Sequence, residues 1–118
     1  NNTLRPNYLD EVLLRIEHPL ANELLIAIAA EESMESRARS LAIREVGSRK
    51  LAEASPIMES VFDTESTNFL IRKDALLVIL EIDEPRGIAI LKNKMPQRTS
   101  DLGMYTFMNS LREKHNVQ

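Results

Sequence analysis

The stretch Ile71–Leu91, IRKDALLVILEIDEPRGIAIL, decides the fold that we predict for this chain. Its first half places apolar residues at helical spacing and charged residues on the opposite side, which predicts an amphipathic helix. The segment Asp83-Glu84-Pro85 ends this helix, because the residue before a proline is pushed out of the helical region. Pro85 suits the first turn of a second helix, which should end before Pro96. The two helices form a hairpin that cannot bury both of its apolar faces alone.

The chain repeats this hairpin when it is shifted against itself by 33 residues. The shift places Arg39 on Arg72 and Ala42 on Ala75, so both a charged and a small position recur. A further shift aligns Leu13 with position 46 of the second hairpin. We therefore predict one all-α domain over residues 1–118, with hairpins at about 7–31, 34–62 and 68–95 and a terminal helix at about 100–115.

These residues resemble the HEAT repeats of bacteria and archaea, particularly the short type that is also found in phycobilisome lyase subunits. The family pattern reads roughly V-R-x-x-A-A-x-A-L-G-x-I-G-D-P-x-A-V-P-A-L. Leu80 and Asp83 stand where the pattern has glycines. The resemblance implies an α-solenoid of about three HEAT-like hairpins, stacked with a right-handed twist, with the last helix as half a repeat or a cap. The third hairpin carries the resemblance at Ile71, Arg72, Ala75, Ile79, Ile82, Pro85, Ile88 and Leu91.

Several local predictions follow from the same pattern. Ser33 and either Thr99 or Ser100 are the expected N-caps of the helices that follow them. Ala75 should be buried where neighbouring helices approach closely, and Leu77 should point outward. Ile57 is expected on the buried side of its helix, together with residues 54, 58, 61 and 62.

Composition excludes several classes of function. The chain has no cysteine, so it forms no disulfide and no cysteine-ligated zinc site. The net charge of -3 gives no general attraction to nucleic acid or to an anionic membrane. The longest nearly uncharged run, Leu24 to Ala30, is far shorter than the ~20 residues of a membrane span. We expect a cytoplasmic protein without a membrane segment.

The sequence gives no sign of a catalytic, metal or cofactor site. His18 and His115 are the only histidines, and neither has a second histidine within a helical turn to form a metal pair. The serines before apolar runs, including Ser55, are interpreted as helix caps, since no histidine is placed to activate them. Glycine occurs only at 47, 87 and 103, so no glycine-rich phosphate loop can form. We therefore predict no enzyme, no cofactor and no small-molecule substrate.

The leading hypothesis is a non-enzymatic module that binds another protein through a helical-repeat surface. In the resembled family the second helix of each pair lines the concave face, so a partner would contact its least buried residues. This face would change from acidic to basic along the chain, which would orient a polar partner. The residues predicted to line it are Glu23, Glu53, Glu59, Arg86, Lys92 and Asn93.

A basic segment is the alternative binding surface. It contains Arg37, Arg44, Arg49 and Lys50, beside Arg39, which occupies the structural arginine position of the repeat. Such a patch would bind phosphate or an acidic partner. Two alternative functions also remain open. The chain could be a HEAT-repeat subunit or domain of a larger, lyase-like enzyme, or a HEAT-like nucleic-acid-binding domain, which the acidic net charge disfavours.

Overall fold

The structure is a computed structural model that describes residues 19–118. Within this range the chain forms six α-helices and one short 3-10 helix, and no strand. The all-α prediction is therefore confirmed for these residues, while the helix predicted at about 7–17 and His18 lie outside them. The helices are α1 (Pro19–Ala30), α2 (Ser36–Ser48), α3 (Ser55–Asp63), α4 (Phe69–Ile82), α5 (Glu84–Asn93) and α6 (Leu102–Lys114), and the 3-10 helix Ala52–Ala54 precedes α3.

The starts of α2, α4 and α6 lie 33 residues apart, at Ser36, Phe69 and Leu102. The residue before each of the last two starts caps its helix with a side-chain oxygen. Asn68 accepts a hydrogen bond from the backbone N–H two residues later at 2.7 Å, and Asp101 from the N–H three residues later at 3.0 Å. The period of the hairpins thus continues into the terminal helix.

The serine caps expected from the sequence are wrong. The Ser33 hydroxyl donates to the Glu31 carboxylate at 2.6 Å, and α2 starts three residues later without a side-chain cap. Ser100 bonds back to the carbonyl of Gln97 at 3.2 Å, and the cap of α6 is Asp101. A carboxylate is the better acceptor at this position, because the positive end of the helix dipole adds to the hydrogen bond.

Ser55 also differs from the expected cap. It is the first residue of α3, is 2% exposed, and donates its hydroxyl hydrogen to Asp83 at 2.6 Å. Asn22 lies 33 residues before Ser55, and its side-chain oxygen accepts from Arg49 at 2.9 Å. The start of each second helix is thus tied to the turn after the neighbouring first helix.

The helices pack in two layers. In one layer α2 lies against α4, and α4 contacts α6; in the other α1 contacts α3. The most extensive pairings between the layers are α1 with α2 and α3 with α4. The predicted hairpin of residues 34–62 is therefore looser than expected, because the turn and 3-10 helix at residues 49–54 carry α3 away from α2. The core between the layers is aliphatic and methionine-rich and includes Leu25, Ile43, Val46, Met58, Leu76, Ile79, Ile90, Leu91, Met104 and Met108.

Two equivalent arginines join successive helix pairs. The Arg39 Nε donates to the carbonyl of Ala29 at 3.1 Å, and the Arg72 Nε donates to the carbonyl of Phe62 at 2.6 Å. Both acceptors lie in the last turn of a helix, where carbonyls lack an intrahelical donor and a positive charge is favourable. Arg39 is only 4% exposed. Its role is structural, which removes it from the basic surface.

The predicted inward and outward positions are mostly found. Ala42 and Ala75 are 3% and 0% exposed, whereas Leu77 is 41% exposed, so all three predictions are confirmed. Ile57 is 37% exposed, and its predicted burial is wrong. Helix α3 turns Met58 and other residues on that side toward the core, which places Ile57 near the surface.

Candidate interaction surface

A groove runs between α2 and α4 on the outside of their layer. Gly47 lies on its floor, where a Cβ atom would meet the Val78 Cγ2 atom at 3.1 Å. The glycine therefore permits the two helices to approach closely. Two clefts of about 230 and 360 Å³ open along the groove and share Arg44 as a lining residue. We call it the α2–α4 groove and define it by Arg37, Ser40, Arg44, Lys50, Leu70, Lys73, Leu77 and Glu81.

Two leucines line the α4 side of the groove. Leu70 is 57% exposed and Leu77 is 41% exposed. They lie seven residues apart, so they project from the same side of α4 about 10 Å apart along its axis. A single exposed leucine needs no explanation, but two on one wall form an apolar stripe. The sequence analysis missed Leu70; its spacing from the predicted outward Leu77 is the signal that could have found it.

The opposite wall is polar and is fixed by Asp74. The Ser40 hydroxyl donates to the Asp74 carboxylate at 2.8 Å, and the Arg44 Nε lies 3.7 Å from the same oxygen. The Arg44 side chain is 66% exposed, whereas Asp74 is nearly buried. The carboxylate is thus satisfied below the surface, and the guanidinium lies at the rim of the groove.

Lys50 closes one end of the groove in an unusual backbone conformation. Its φ of 55° lies in the left-handed region, which costs a residue with a side chain about 1 kcal/mol and favours glycine. Helix α2 ends here with hydrogen bonds from Lys50 N–H to Gly47 and from Leu51 N–H to Val46, both at 3.1 Å. The Lys50 ammonium forms an ion pair with Glu81 at the surface and lowers the pKa of that carboxyl.

The α2–α4 groove is a positive region on an acidic chain. Four basic side chains line its two clefts, Arg37, Arg44, Lys50 and Lys73, against two acidic ones. The chain as a whole has a net charge of -3. Three members of the predicted basic segment, at positions 37, 44 and 50, are exposed in this groove.

Arg49 is the member of the basic segment that the structure places elsewhere. Its side chain is 11% exposed, and its Nε donates to Glu45 at 2.8 Å. Its Nη1 donates to Asn22 on α1 at 2.9 Å. The prediction that Arg49 belongs to the basic surface is therefore wrong, because the side chain turns toward α1 to complete the contact between the layers.

The face made by α1, α3 and α5 carries the other predicted surface. Four of its six predicted residues are exposed, namely Glu23, Glu53, Lys92 and Asn93. Glu59 and Arg86 are instead half-buried, and their predicted high exposure is wrong. They pair with each other across α3 and α5, with 2.6 Å between the Arg86 Nη1 and the Glu59 Oε1.

Lys94 and Asp83 extend this pair into an ion network. The Lys94 Nζ lies 2.7 Å from Glu59 and 2.8 Å from Asp63, while the Arg86 Nε lies 3.1 Å from Asp83. Hydrogen bonds from Lys94 and then from Arg86 lower the pKa of Glu59. The middle of the predicted acidic-to-basic face is thus neutralised within the protein.

A separate cleft of about 440 Å³ opens between the loop before α4 and the segment before α6. Its two cations are engaged within the protein. Arg72 binds the carbonyl of Phe62 and lies 5.1 Å from the centre of its ring, and Lys94 bridges two carboxylates. This cleft offers a polar pocket without a further uncompensated charge.

The described part of the chain shows no arrangement of metal ligands. Among residues 19–118, no group of three or more His, Asp or Glu side chains is placed to hold a metal ion. The His115 Nδ1 lies 3.8 Å from Glu84 at the end of α6. None of the helices within residues 19–118 has the length and apolar character needed to cross a membrane.

Comparisons with protein-family models, with curated proteins and with solved structures found no match to this chain. The argument for function therefore depends on the geometry of the two surfaces.

Proposed function

We propose that this chain is a non-enzymatic protein-interaction module, built as a short α-solenoid of HEAT-like helix pairs. The observation that carries the proposal is the 33-residue spacing of the starts of α2, α4 and α6, which pack in sequence in one layer. Successive packing of equivalent helices leaves grooves between them along one side, and repeat proteins bind partners along such surfaces. The equivalent bonds of Arg39 and Arg72 support the same repeat.

A fold of this kind does not define a function, so the binding role depends on a surface. The α2–α4 groove is the stronger candidate, because it combines the exposed Leu70 and Leu77 with a positive wall. The face of α1, α3 and α5 is the weaker candidate, since Glu59 and Arg86 already satisfy each other. Nucleic-acid binding is not favoured, because Arg49 turns inward and the groove presents leucines where stacking aromatic side chains would be needed.

Affinity capture with the tagged chain, followed by mass spectrometry, tests the proposal. The native chain is compared with a groove variant, Leu70→Ser/Leu77→Ser, and with a variant of the other face, Glu23→Lys/Lys92→Glu. All four positions are exposed, so these variants should remain folded, which circular dichroism checks. We expect a protein captured by the native chain and lost with one surface variant. Failure of the native chain to retain any protein beyond both variants would refute the proposal.

A further inference from the structure

We infer that the α2–α4 groove binds an acidic, amphipathic α-helix of a partner protein. This inference rests on the proposed function and names the surface and the chemistry of the partner. It is argued from the shape of the groove, from its charge and from the backbone at Lys50.

The spacing of the lining residues matches the repeat of a helix. Arg37 and Leu70 line one cleft, and Arg44 and Leu77 line the other. Both pairs are separated by seven residues along their helices, which is two helical turns. An amphipathic helix presents equivalent residues at the same interval, so its apolar residues at i and i+7 can meet both leucines. The groove therefore suits a helix laid along α2 and α4.

The charges select an acidic ligand. The two carboxylates of the groove are engaged at short range, Asp74 by Ser40 and Arg44, and Glu81 by Lys50. Lys73 adds a fourth cation on the α4 side. An incoming helix with carboxylates beside its apolar stripe would meet positive potential along the groove, which favours its association and its orientation. A basic helix would be repelled.

Lys50 provides a second, independent observation. It occupies a left-handed position at the end of α2, where glycine would fit without strain. A 65% exposed ammonium is held there at the end of the groove. Strained residues are maintained where the surrounding structure or a function requires them, and a cation at this point extends the positive wall beyond Arg44.

The test is a selection of peptides from a displayed library of helix-favouring sequences, with the native chain as bait. The library varies the charged and apolar positions without bias. Enriched peptides are then synthesised, and their Kd values are measured by fluorescence anisotropy at low and physiological salt. We expect enrichment of acidic sequences with apolar residues at i and i+7, with weaker binding at higher salt.

Variants place the site. Leu70→Ser should weaken binding about tenfold, whereas Leu102→Ser, which changes a leucine of similar exposure outside the groove, should leave the Kd unchanged. Lys50→Gly should weaken binding without lowering the Tm, because it relieves the backbone strain. This separates loss of the site from loss of the fold. Lys92→Gln removes a cation from α5 and is the charge control.

The outcomes are distinct. Enriched basic sequences, no enrichment, or Kd values that do not respond to Leu70→Ser and Lys50→Gly overturn the inference. Concentration-dependent self-association that Leu70→Ser abolishes also overturns it, since the occupant would then be a second copy of this chain. In each case a partner captured through Glu23 and Lys92 would leave the proposed function standing, and only the groove assignment would fall.

Discussion

Gly87 determines how closely α5 can pack on α4, and its substitution tests the packing of the third helix pair. A Cβ atom at this position would lie 2.5 Å from the Leu80 Cδ2 atom and 3.1 Å from the Leu80 Cα atom. The side-chain contact can be relieved by rotation, but the contact with the backbone cannot. Gly87→Ala should therefore force α5 away from α4.

The size of the effect follows from two opposing contributions. Replacing glycine by alanine inside a helix stabilises it by about 1 kcal/mol. Overpacking of a close contact costs about 1–3 kcal/mol, and the backbone contact at Gly87 places this case toward the upper end. We expect a net loss of about 1–2 kcal/mol, which lowers the Tm of a chain of this size by about 4–8 °C.

The other two glycines provide matched controls. At Gly103 a Cβ atom would meet only the Asp101 Oδ1 atom, at 3.9 Å, so Gly103→Ala should stabilise the chain by up to about 1 kcal/mol. At Gly47 the Cβ atom would lie 3.1 Å from Val78, whose branched side chain cannot rotate freely, so Gly47→Ala should be close to neutral. Stability should thus rise in the order of variants 87, 47, 103.

Urea unfolding followed by circular dichroism measures these differences. A fourth variant, Gly87→Ala/Leu80→Ala, removes the side-chain part of the contact. Gly87→Ala should cost about 1 kcal/mol less in the Leu80→Ala background than alone. The reasoning is refuted if Gly87→Ala is as stable as Gly103→Ala, or if its cost is the same in both backgrounds.

Three further predictions concern charge, helix ends and the buried face. The pKa of Glu59 is lowered, so its stabilising contribution is complete above the ordinary value of 4.5 and is lost as the pH falls through the folded value; Glu59→Gln should therefore make the Tm fall less between pH 5 and 3. Arg72→Met leaves a carbonyl at the end of α3 without its donor and should cost about 1–3 kcal/mol in urea unfolding, and a loss below 0.5 kcal/mol would count against this role. Ala75→Leu should cost about 1–3 kcal/mol, but Leu77→Glu less than about 0.5 kcal/mol, and equal losses would mean that the buried face of α4 is misplaced.

Local signals in the sequence predicted the helices well, since they depend on neighbouring residues. The Asp83 and Pro85 pair marked the turn between α4 and α5 because both residues act on their own backbone. Competition between adjacent caps was harder to predict. Ser100 and Asp101 both suit an N-cap, and only the backbone geometry decides which side chain reaches the free N–H.

Contacts across helices could not be predicted from the pattern alone. Glu59 and Arg86 are 27 residues apart, and whether they meet depends on the rotation of α3 about its axis. The same rotation placed Ile57 at the surface. The inward turn of Arg49 likewise depends on the position of Asn22 on α1. In each case the residue type was noted correctly, but its partner was set by packing.

The binding surface is found where equivalent positions of the repeat differ from one another. The inward position of the repeat holds Ala42 in α2 and Ala75 in α4, because two packed helices permit only a small side chain there. The outward position one period apart holds Arg44 in α2, Leu77 in α4 and Ser110 in α6. Packing does not constrain these outward residues, so their differences reflect what each groove contacts. The cation and the leucine meet only across the α2–α4 groove, which is why this groove, and not the neutral surface of α6, is the site at which a partner is expected.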